Sequence, residues 1–286
     1  MEQLSQQNIQ LSPGLFTAVR DYLYEKSGLY YADYKKYLLE GRLLARLNAL
    51  NLNTFQEYYR YIKNGTGNGP ELQNVLRDIA KSEAYFFQNT PQLDALTKWI
   101  LPELKELNST PQLRLVSLAS RQGEDIYTLA IVLQEYIEEA GQDWDVELIG
   151  IEENPDLVAH AREGEYDSYS IRNMPRRLIL KYFSHLGNKF RIKEQINSRI
   201  TFVNSAPDIW LRQNSDPINV MYCRNRLITM EHLKKQKFVT DITRTLALNG
   251  FLFLGQMETL HKIQHDLQLC HFPNTLSYVK QVQGET

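Results

Sequence analysis

The sequence has little cysteine. Its 286 residues hold two, Cys223 and Cys270, with no Cys-x-x-Cys pair. That excludes a disulfide-stapled scaffold and a cysteine-rich zinc module, and it fits a reducing compartment. The sequence also lacks an excess of either charge: 32 basic and 34 acidic residues leave a net charge of −2. A chain that neutralises many phosphates carries a basic surplus, so nucleic acid is not an expected partner. No apolar run approaches the roughly 18 residues of a membrane-crossing helix. The opening MEQLSQQNIQLSPG has no basic-then-apolar secretion plan. A cytoplasmic monomer with no membrane insertion is the expectation. What is present is ordinary globular material, 43% hydrophobic and 23% charged. That is enough to build a core without staples, in a chain long enough for two domains.

Residues 1–80 read as successive helices. Ser12-Pro13 is a start signal, a capping hydroxyl followed by proline at the first helical position. Phe16, Val19 and Leu23 then follow at helical spacing. A second helix is expected over about 32–50, with Leu38, Leu39, Leu43, Leu44 and Leu47 as its apolar stripe. A third opens at Thr54, a Gly/Asn-rich loop spans 64–70, and a fourth helix runs over about 71–80. Ten of the 17 tyrosines lie in the first 85 residues, which reads as packing within a small bundle. From about residue 112 short apolar runs alternate with helical patterns. Strands are expected at 113–118, 146–151, 218–223 and 250–254, with helices at 125–139, 155–163 and 231–248. Residues 190–192 and 200–203 look like a short antiparallel pair, and 276–282 like a last edge strand. This alternation implies an open parallel sheet with helices on both faces.

In such sheets ligands bind beyond the carboxyl ends of the strands, near the switch point. Three segments fall there. In Ser117–Thr128 a strand enters a turn containing Gly123 and then a helix headed by Glu124 and Asp125. One glycine is too few for the Gly-x-Gly-x-x-Gly of a dinucleotide site, and the two acids repel phosphate. The alternative role of these acids is to complement the helix dipole. In Leu148–Pro155, Glu152 stands at a strand end, where an acid accepts hydrogen bonds from a ribose diol or is simply solvated. In Val220–Met230, Arg224 and Asn225 sit at a strand tip; turn capping is the other reading of the asparagine. Together these point to a nucleoside ligand without pyrophosphate, of which S-adenosylmethionine is an example.

These residues resemble the CheR chemotaxis methyltransferases, which methylate glutamates of chemoreceptors. Ser-Arg-Gln-Gly-Glu-Asp-Ile-Tyr-Thr (120–128) is similar to the family's CSTGEEPYS, and Tyr-Cys-Arg-Asn-Arg-Leu-Ile-Thr-Met (222–230) to FCRNVLIYF. Gly-Phe-Leu-Phe-Leu-Gly-Gln-Met-Glu-Thr-Leu (250–260) is similar to GYLFLGHSESL, Ser-Glu-Ala-Tyr-Phe-Phe-Gln-Asn (82–89) to the TxFFR segment, and residues 35–50 to the family's basic second helix. The resemblance implies an α/β protein of the class I S-adenosylmethionine-dependent methyltransferase type. Its sheet would be Rossmann-like, seven-stranded and mostly parallel. A helical amino-terminal domain (1–88) would precede the methyltransferase domain (89–286), with a small antiparallel subdomain inserted near 185–204. It implies S-adenosylmethionine or S-adenosylhomocysteine as ligand. Ser82, Gln88, Gly123, Glu124, Glu152, Arg224 and Asn225 would stand at cofactor positions, with Glu152 on the ribose. Lys35, Lys36, Arg42 and Arg46 would face a chemoreceptor or other signalling protein.

The chain departs from the pattern on the acceptor side. The family's TxFFR arginine is Gln88 and its threonine Ala84; the tyrosine of the CRN motif is Thr229, and the histidine of LGHSE is Gln256. Glu152 replaces the usual aspartate, and Asn204-Ser-Ala-Pro-Asp208 the usual Asn-Leu loop near the adenine. Residues 1–95 hold ten basic and ten acidic side chains, so no net field steers an acidic partner. Three readings stay open: a receptor-glutamate methyltransferase, a non-catalytic cofactor-binding or scaffold protein, and a methyltransferase with another acceptor.

Overall fold

The structure, a computed structural model, describes residues 10–27, 31, 33, 36–64, 69–80, 84–106, 112–141 and 144–281. The chain forms two compact units. The first comprises Met1–Ser82, Asn225–Leu233 and Met257–Ile263; the second comprises Glu83–Arg224, Lys234–Gln256 and Gln264–Thr286.

The first unit is helical: α1 (Pro13–Ser27), α2 (Lys36–Leu50), α3 (Phe55–Asn64) and α4 (Pro70–Ala80). The starts of α1 and α3 follow their capping residues. The Leu15 amide donates to Ser12 Oγ at 3.3 Å. Thr54 Oγ1 accepts from the Glu57 amide at 3.1 Å, while the Glu57 carboxylate accepts from the Thr54 amide at 3.2 Å. That reciprocal pair satisfies two amides which the helix leaves open. Phe16, Val19, Leu23, Leu39, Leu43, Leu47, Phe55, Tyr58, Ile62, Val75 and Leu76 form the core, joined by Ile228 from the later segment. Several of the clustered tyrosines pack there as expected. Tyr22 is buried and donates to the Ile62 carbonyl at 2.8 Å, whereas Tyr37 is exposed.

The second unit begins with a continuous helical run, α5 (Thr90–Ala95), a π turn (Leu96–Ile100) and α6 (Leu101–Glu106). Then come β1 (Gln112–Leu118), α7 (Glu124–Ala140), β2 (Asp145–Glu152), α8 (Pro155–Glu163), β3 (Glu165–Tyr166), α9 (Arg176–Tyr182), β4 (Phe183–Leu186) and β5 (Lys189–Ile192). The chain continues with α10 (Glu194–Asn197), β6 (Ile200–Asn204), α11 (Pro207–Gln213), β7 (Ile218–Cys223), α12 (His232–Thr245), β8 (Leu246–Leu254), β9 (Leu267–Phe272) and β10 (Thr275–Lys280). Helix α12 starts in the first unit's last two residues of 225–233 and continues in the second.

The main sheet has the order β6-β2-β1-β7-β8-β10-β9. Its first five strands are parallel, and β10 is antiparallel to both neighbours. Strand β7 is apolar but for Asn219, and β1 is buried from Leu115 to Leu118, as strands covered on both faces must be. From β1 the chain works outward to β2 and β6 on one side and β7 and β8 on the other, so the switch point lies between β1 and β7.

Three expectations need correction. Residues 190–192 and 200–203 do not pair. β5 pairs with β3 and β4 in a separate three-stranded antiparallel sheet, while β6 joins the main sheet parallel to β2. The reason is burial: the Phe202 ring packs where Gly150 of β2 leaves room, and a Cβ on Gly150 would meet that ring at 3.0 Å. The helix expected to 248 ends at Thr245, and Leu246 already pairs with Ile218. The strand expected at 276–282 is β10; it lies inside β9, which takes the edge.

Candidate functional site

The carboxyl end of β1 turns into α7 through Ala119–Gly123. Ala119, Arg121 and Gly123 all have positive φ, at 58°, 55° and 92°. Gly123 is the tightest point, since a Cβ there would stand 3.0 Å from the Tyr127 ring and 3.2 Å from Ala161 Cβ. The turn is pinned to β2 by the Ser120 amide, which donates to the Ile151 carbonyl at 2.8 Å. Behind it Phe86, Tyr127, Tyr166 and Phe183 pack edge to face; Phe86 and Tyr166 lie 4.7 Å apart at 86°. The paired phenylalanines of 86–87 are therefore core residues that anchor the segment carrying Gln88.

Glu152, at the end of β2, is buried. Its carboxylate accepts from the Arg121 amide at 2.9 Å and from the Asn154 amide at 3.0 Å. It thus ties the β1–α7 turn to the start of α8. Each oxygen has taken one bond and keeps a lone pair for a ligand hydroxyl. Asn204 stands beside it and donates to the backbone carbonyls of Glu152 and Glu153 at 3.0 and 3.1 Å.

Glu124 opens α7 and is only 2% exposed. Its Oε2 is buried with no hydrogen-bond partner. Burial, reinforced by the neighbouring Asp125 charge, pushes its pKa up to about 7. A buried carboxylate left without a partner costs free energy unless a cation meets it. Its burial at the switch point, with Oε2 unpartnered, gives this acid the chemistry to accept a cationic group as well as to complement the helix dipole.

Arg224 follows β7, with its side chain 8% exposed. One terminal nitrogen donates to Asp125 Oδ1 at 2.5 Å and the other to Gln88 Oε1 at 2.8 Å. Gln88, Gly123, Glu124, Glu152 and Arg224 thus all lie at the carboxyl end of the sheet in the second unit. Asn225 belongs to the first unit, where its amide, at a φ of 59°, donates to Glu258 at 2.7 Å. Thr229 ends a short 3₁₀ turn (Leu227–Thr229) there. Ser82 and Lys35 lie outside the described residues.

Among the proposed partner residues, Lys36 pairs with Glu40 at 3.3 Å and Arg42 is half-buried. Arg46 is engaged inside the bundle. It binds Glu71 through two 2.8 Å bonds and Asp78 at 3.1 Å, and the Tyr58 hydroxyl donates to Glu71 at 3.0 Å. Its charge is matched within α2 and α4. Three residues with parts in these clusters were not anticipated: Gln92, whose Nε2 donates to the Leu254 carbonyl at 2.8 Å, Tyr222 and Glu258. Tyr222 and Glu258 had a signal, their places in the 222–230 and 250–260 motifs; Gln92 had none.

Residues 82–276 match the family model of the CheR methyltransferase SAM binding domain, and residues 15–80 that of the CheR methyltransferase all-alpha domain. The chain belongs to the CheR methyltransferase family. It is 26% identical to chemotaxis protein methyltransferase 2 of Vibrio cholerae, over 95% of this chain and 94% of that one. It is 28% identical to the chemotaxis protein methyltransferase of Borreliella burgdorferi, over 88% and 90%. To chemotaxis protein methyltransferase 1 of Pseudomonas aeruginosa it is 25% identical, over 89% and 93%. The site suits the cofactor of a CheR methyltransferase. S-adenosylmethionine carries positive charge and a ribose diol, which match the unpartnered Glu124 Oε2 and the open lone pairs of Glu152. Among the described residues no cluster fits a metal ion, and no helix is long and apolar enough to cross a membrane.

Proposed function

We propose that this chain transfers the methyl group of S-adenosylmethionine to glutamate carboxylates of chemoreceptor-type signalling proteins, acting as a cytoplasmic monomer. The observation that carries the reading is Glu124: a buried acid whose Oε2 has no partner, at the switch point of a CheR-family domain. Glu124 would hold the cationic amino-acid end of the cofactor and Glu152 its ribose hydroxyls. The cofactor supplies an electrophilic methyl on sulfonium sulfur; a carboxylate oxygen displaces it, the C–S electron pair stays on sulfur, and a methyl ester forms.

A glutamate acceptor is already ionised at neutral pH, so the chain need provide no general base. Its residues bind and align. The alignment rests on a turn held rigid by Glu152 and on an arginine held from both sides by Asp125 and Gln88. Orientation of this kind supplies up to ~7–11 kcal/mol of a barrier.

The test is calorimetric titration with S-adenosylhomocysteine, followed by transfer of labelled methyl to receptor cytoplasmic fragments. Micromolar binding that Glu124→Gln abolishes, together with label on glutamate, supports the reading. Binding without transfer to any receptor fragment supports the second reading, a cofactor-binding scaffold, which the neutral Gln88 favours. No binding at millimolar ligand overturns both.

A further inference from the structure

The Gln88–Arg224 bond changes the meaning of the glutamine. The pattern that the chain resembles has arginine both here and in the Cys-Arg-Asn motif; this chain has lost the first and keeps the second, Arg224. Arg224 stands 2.8 Å from Gln88 Oε1, which accepts from its terminal nitrogen, and Asp125 fixes the other terminal nitrogen at 2.5 Å. A guanidinium carries five N–H groups in a fixed fork. Two bonds hold it, and its Nε is buried with no partner.

The surroundings ask for an acceptor. Gln88, Asn89, Gln92, Asp125, Tyr222 and Arg224 line one narrow crevice between the 88–93 segment, α7 and the end of β7. Asn89 Nδ2, the Tyr222 hydroxyl and Arg224 Nε are all buried donors without partners there. Gln92 Oε1 is the one unpartnered side-chain atom of the crevice that can only accept, while the Tyr222 hydroxyl can do both. Three open donors against one atom that can only accept describe a place for an oxygen-rich group. Its narrowness admits only the end of such a group, and a carboxylate is the acceptor-only group in this reaction.

We propose that Gln88 is a positioning residue. With Asp125 it holds the Arg224 guanidinium at the switch point as the carboxylate-holding cation, the one that remains of the pattern's two. The inference rests on the cofactor reading above and deepens it. It reverses the expectation from motif comparison. Restoring arginine at 88 would put two guanidiniums where an amide oxygen now accepts from one, and the pair would compete for the single Asp125. The carboxylate has two possible sources, the amino-acid tail of the cofactor and the acceptor glutamate.

The full-length chain and its Gln88→Met, Gln88→Arg, Arg224→Met and Gln88→Met/Arg224→Met variants are titrated with S-adenosylhomocysteine and with 5′-methylthioadenosine, which lacks the amino-acid tail. Receptor-fragment methylation is measured in parallel, with melting temperature as the folding control. Gln88→Met is expected to cost roughly tenfold, the scale of one hydrogen bond to a charged group. If the cofactor tail is the source, the loss falls on S-adenosylhomocysteine affinity and spares methylthioadenosine. If the acceptor is the source, both affinities hold and KM for receptor rises. In the Arg224→Met background the second substitution should add nothing, because Gln88 acts only through Arg224. Gln88→Arg should fall below wild type. Additive losses in the double variant, or a Gln88→Arg protein as good as wild type, overturn the proposal while leaving the cofactor reading standing. Failure of wild type to bind either ligand overturns that reading and the proposal with it.

Discussion

Glu124 makes the site sensitive to pH in a direction that can be worked out. Burial raises its pKa in the folded chain to about 7 from an ordinary 4.5. Above pH 7 it is ionised and attracts a cationic ligand; below, it is neutral. Affinity for S-adenosylhomocysteine, whose amino group is cationic, is therefore expected to rise from pH 6 to pH 8. Glu124→Gln should flatten that profile and weaken binding at pH 8. The same shift acts on stability with the opposite sense. Between pH 4.5 and 7 the folded chain holds a proton that the unfolded chain has released, so stability falls as pH rises through that window, by ~3 kcal/mol in all. Glu124→Gln should remove this slope, and chemical denaturation at pH 5 and pH 8 would show it. A parallel slope in the variant would mean that other groups dominate. Glu152 presents a different case, because its carboxylate is already bound to two amides. Glu152→Ala is expected to cost about 2 kcal/mol of stability as well as at least tenfold in cofactor affinity. A lowered melting temperature with unchanged affinity would leave Glu152 a purely structural clamp.

At the scale of elements, two helix ends allow a controlled comparison. Gly141 ends α7 and Gly164 ends α8, both in left-handed conformation, at φ 59° and 65°. A Cβ on Gly141 would meet nothing within 4 Å, whereas one on Gly164 would lie 2.5 Å from Ile192 Cγ2. Gly141→Ala should cost only the backbone term, about 1 kcal/mol, and Gly164→Ala should cost at least ~1 kcal/mol more through displacement of β5. Equal losses in denaturant melts would show that β5 yields without resistance. The same local rules explain which elements were legible in the sequence. Ser12-Pro13, Thr54 with Glu57, and Asn154-Pro155 each carry their own start signal, and α1, α3 and α8 begin there. β1 and β7 were legible as apolar runs. β9 was not: in Leu267–Phe272 only Leu267 is fully buried. An edge strand of that kind has neither the apolar run of a central strand nor clean alternation. β6 was seen as a strand but given the wrong partner, because pairing depends on where Phe202 finds space, beside Gly150 some fifty residues earlier. In the site, Glu124, Glu152 and Arg224 were legible by position after strands. The Gln88–Arg224 contact was not, since a bond spanning 136 residues leaves no local pattern.

The two units of the whole molecule are not two lengths of chain. The helical unit takes in 225–233 and 257–263 from within the other unit's sequence, although the family resemblance implies a single boundary at residue 88. Ile228 is a core residue of the bundle and Met257 packs against that core. Glu258 accepts from the amides of Asn225 and Ile228 at 2.7 and 3.1 Å, fastening the two late segments together. A fragment of residues 1–88 would therefore leave Ile228's place in the core empty. Four helices of 10–15 residues have little stability of their own in water, so the gap matters. Such a fragment is expected to melt broadly, without a cooperative transition, by circular dichroism at 222 nm. In the full chain, Ile228→Ala should cost about 2–4 kcal/mol, as a buried isoleucine truncated to a methyl does. The fragment and the point variant test the same claim from opposite sides. A sharp transition in the fragment, with Ile228→Ala costing less than about 1 kcal/mol, would mean that the bundle closes on its own. The expected result, a broad melt and a costly truncation, would mean that the helical unit folds only after the chain has delivered the segment following β7. The loop that carries Asn225 and Thr229 would then be fixed by the folding of the bundle as well as by the strand that precedes it.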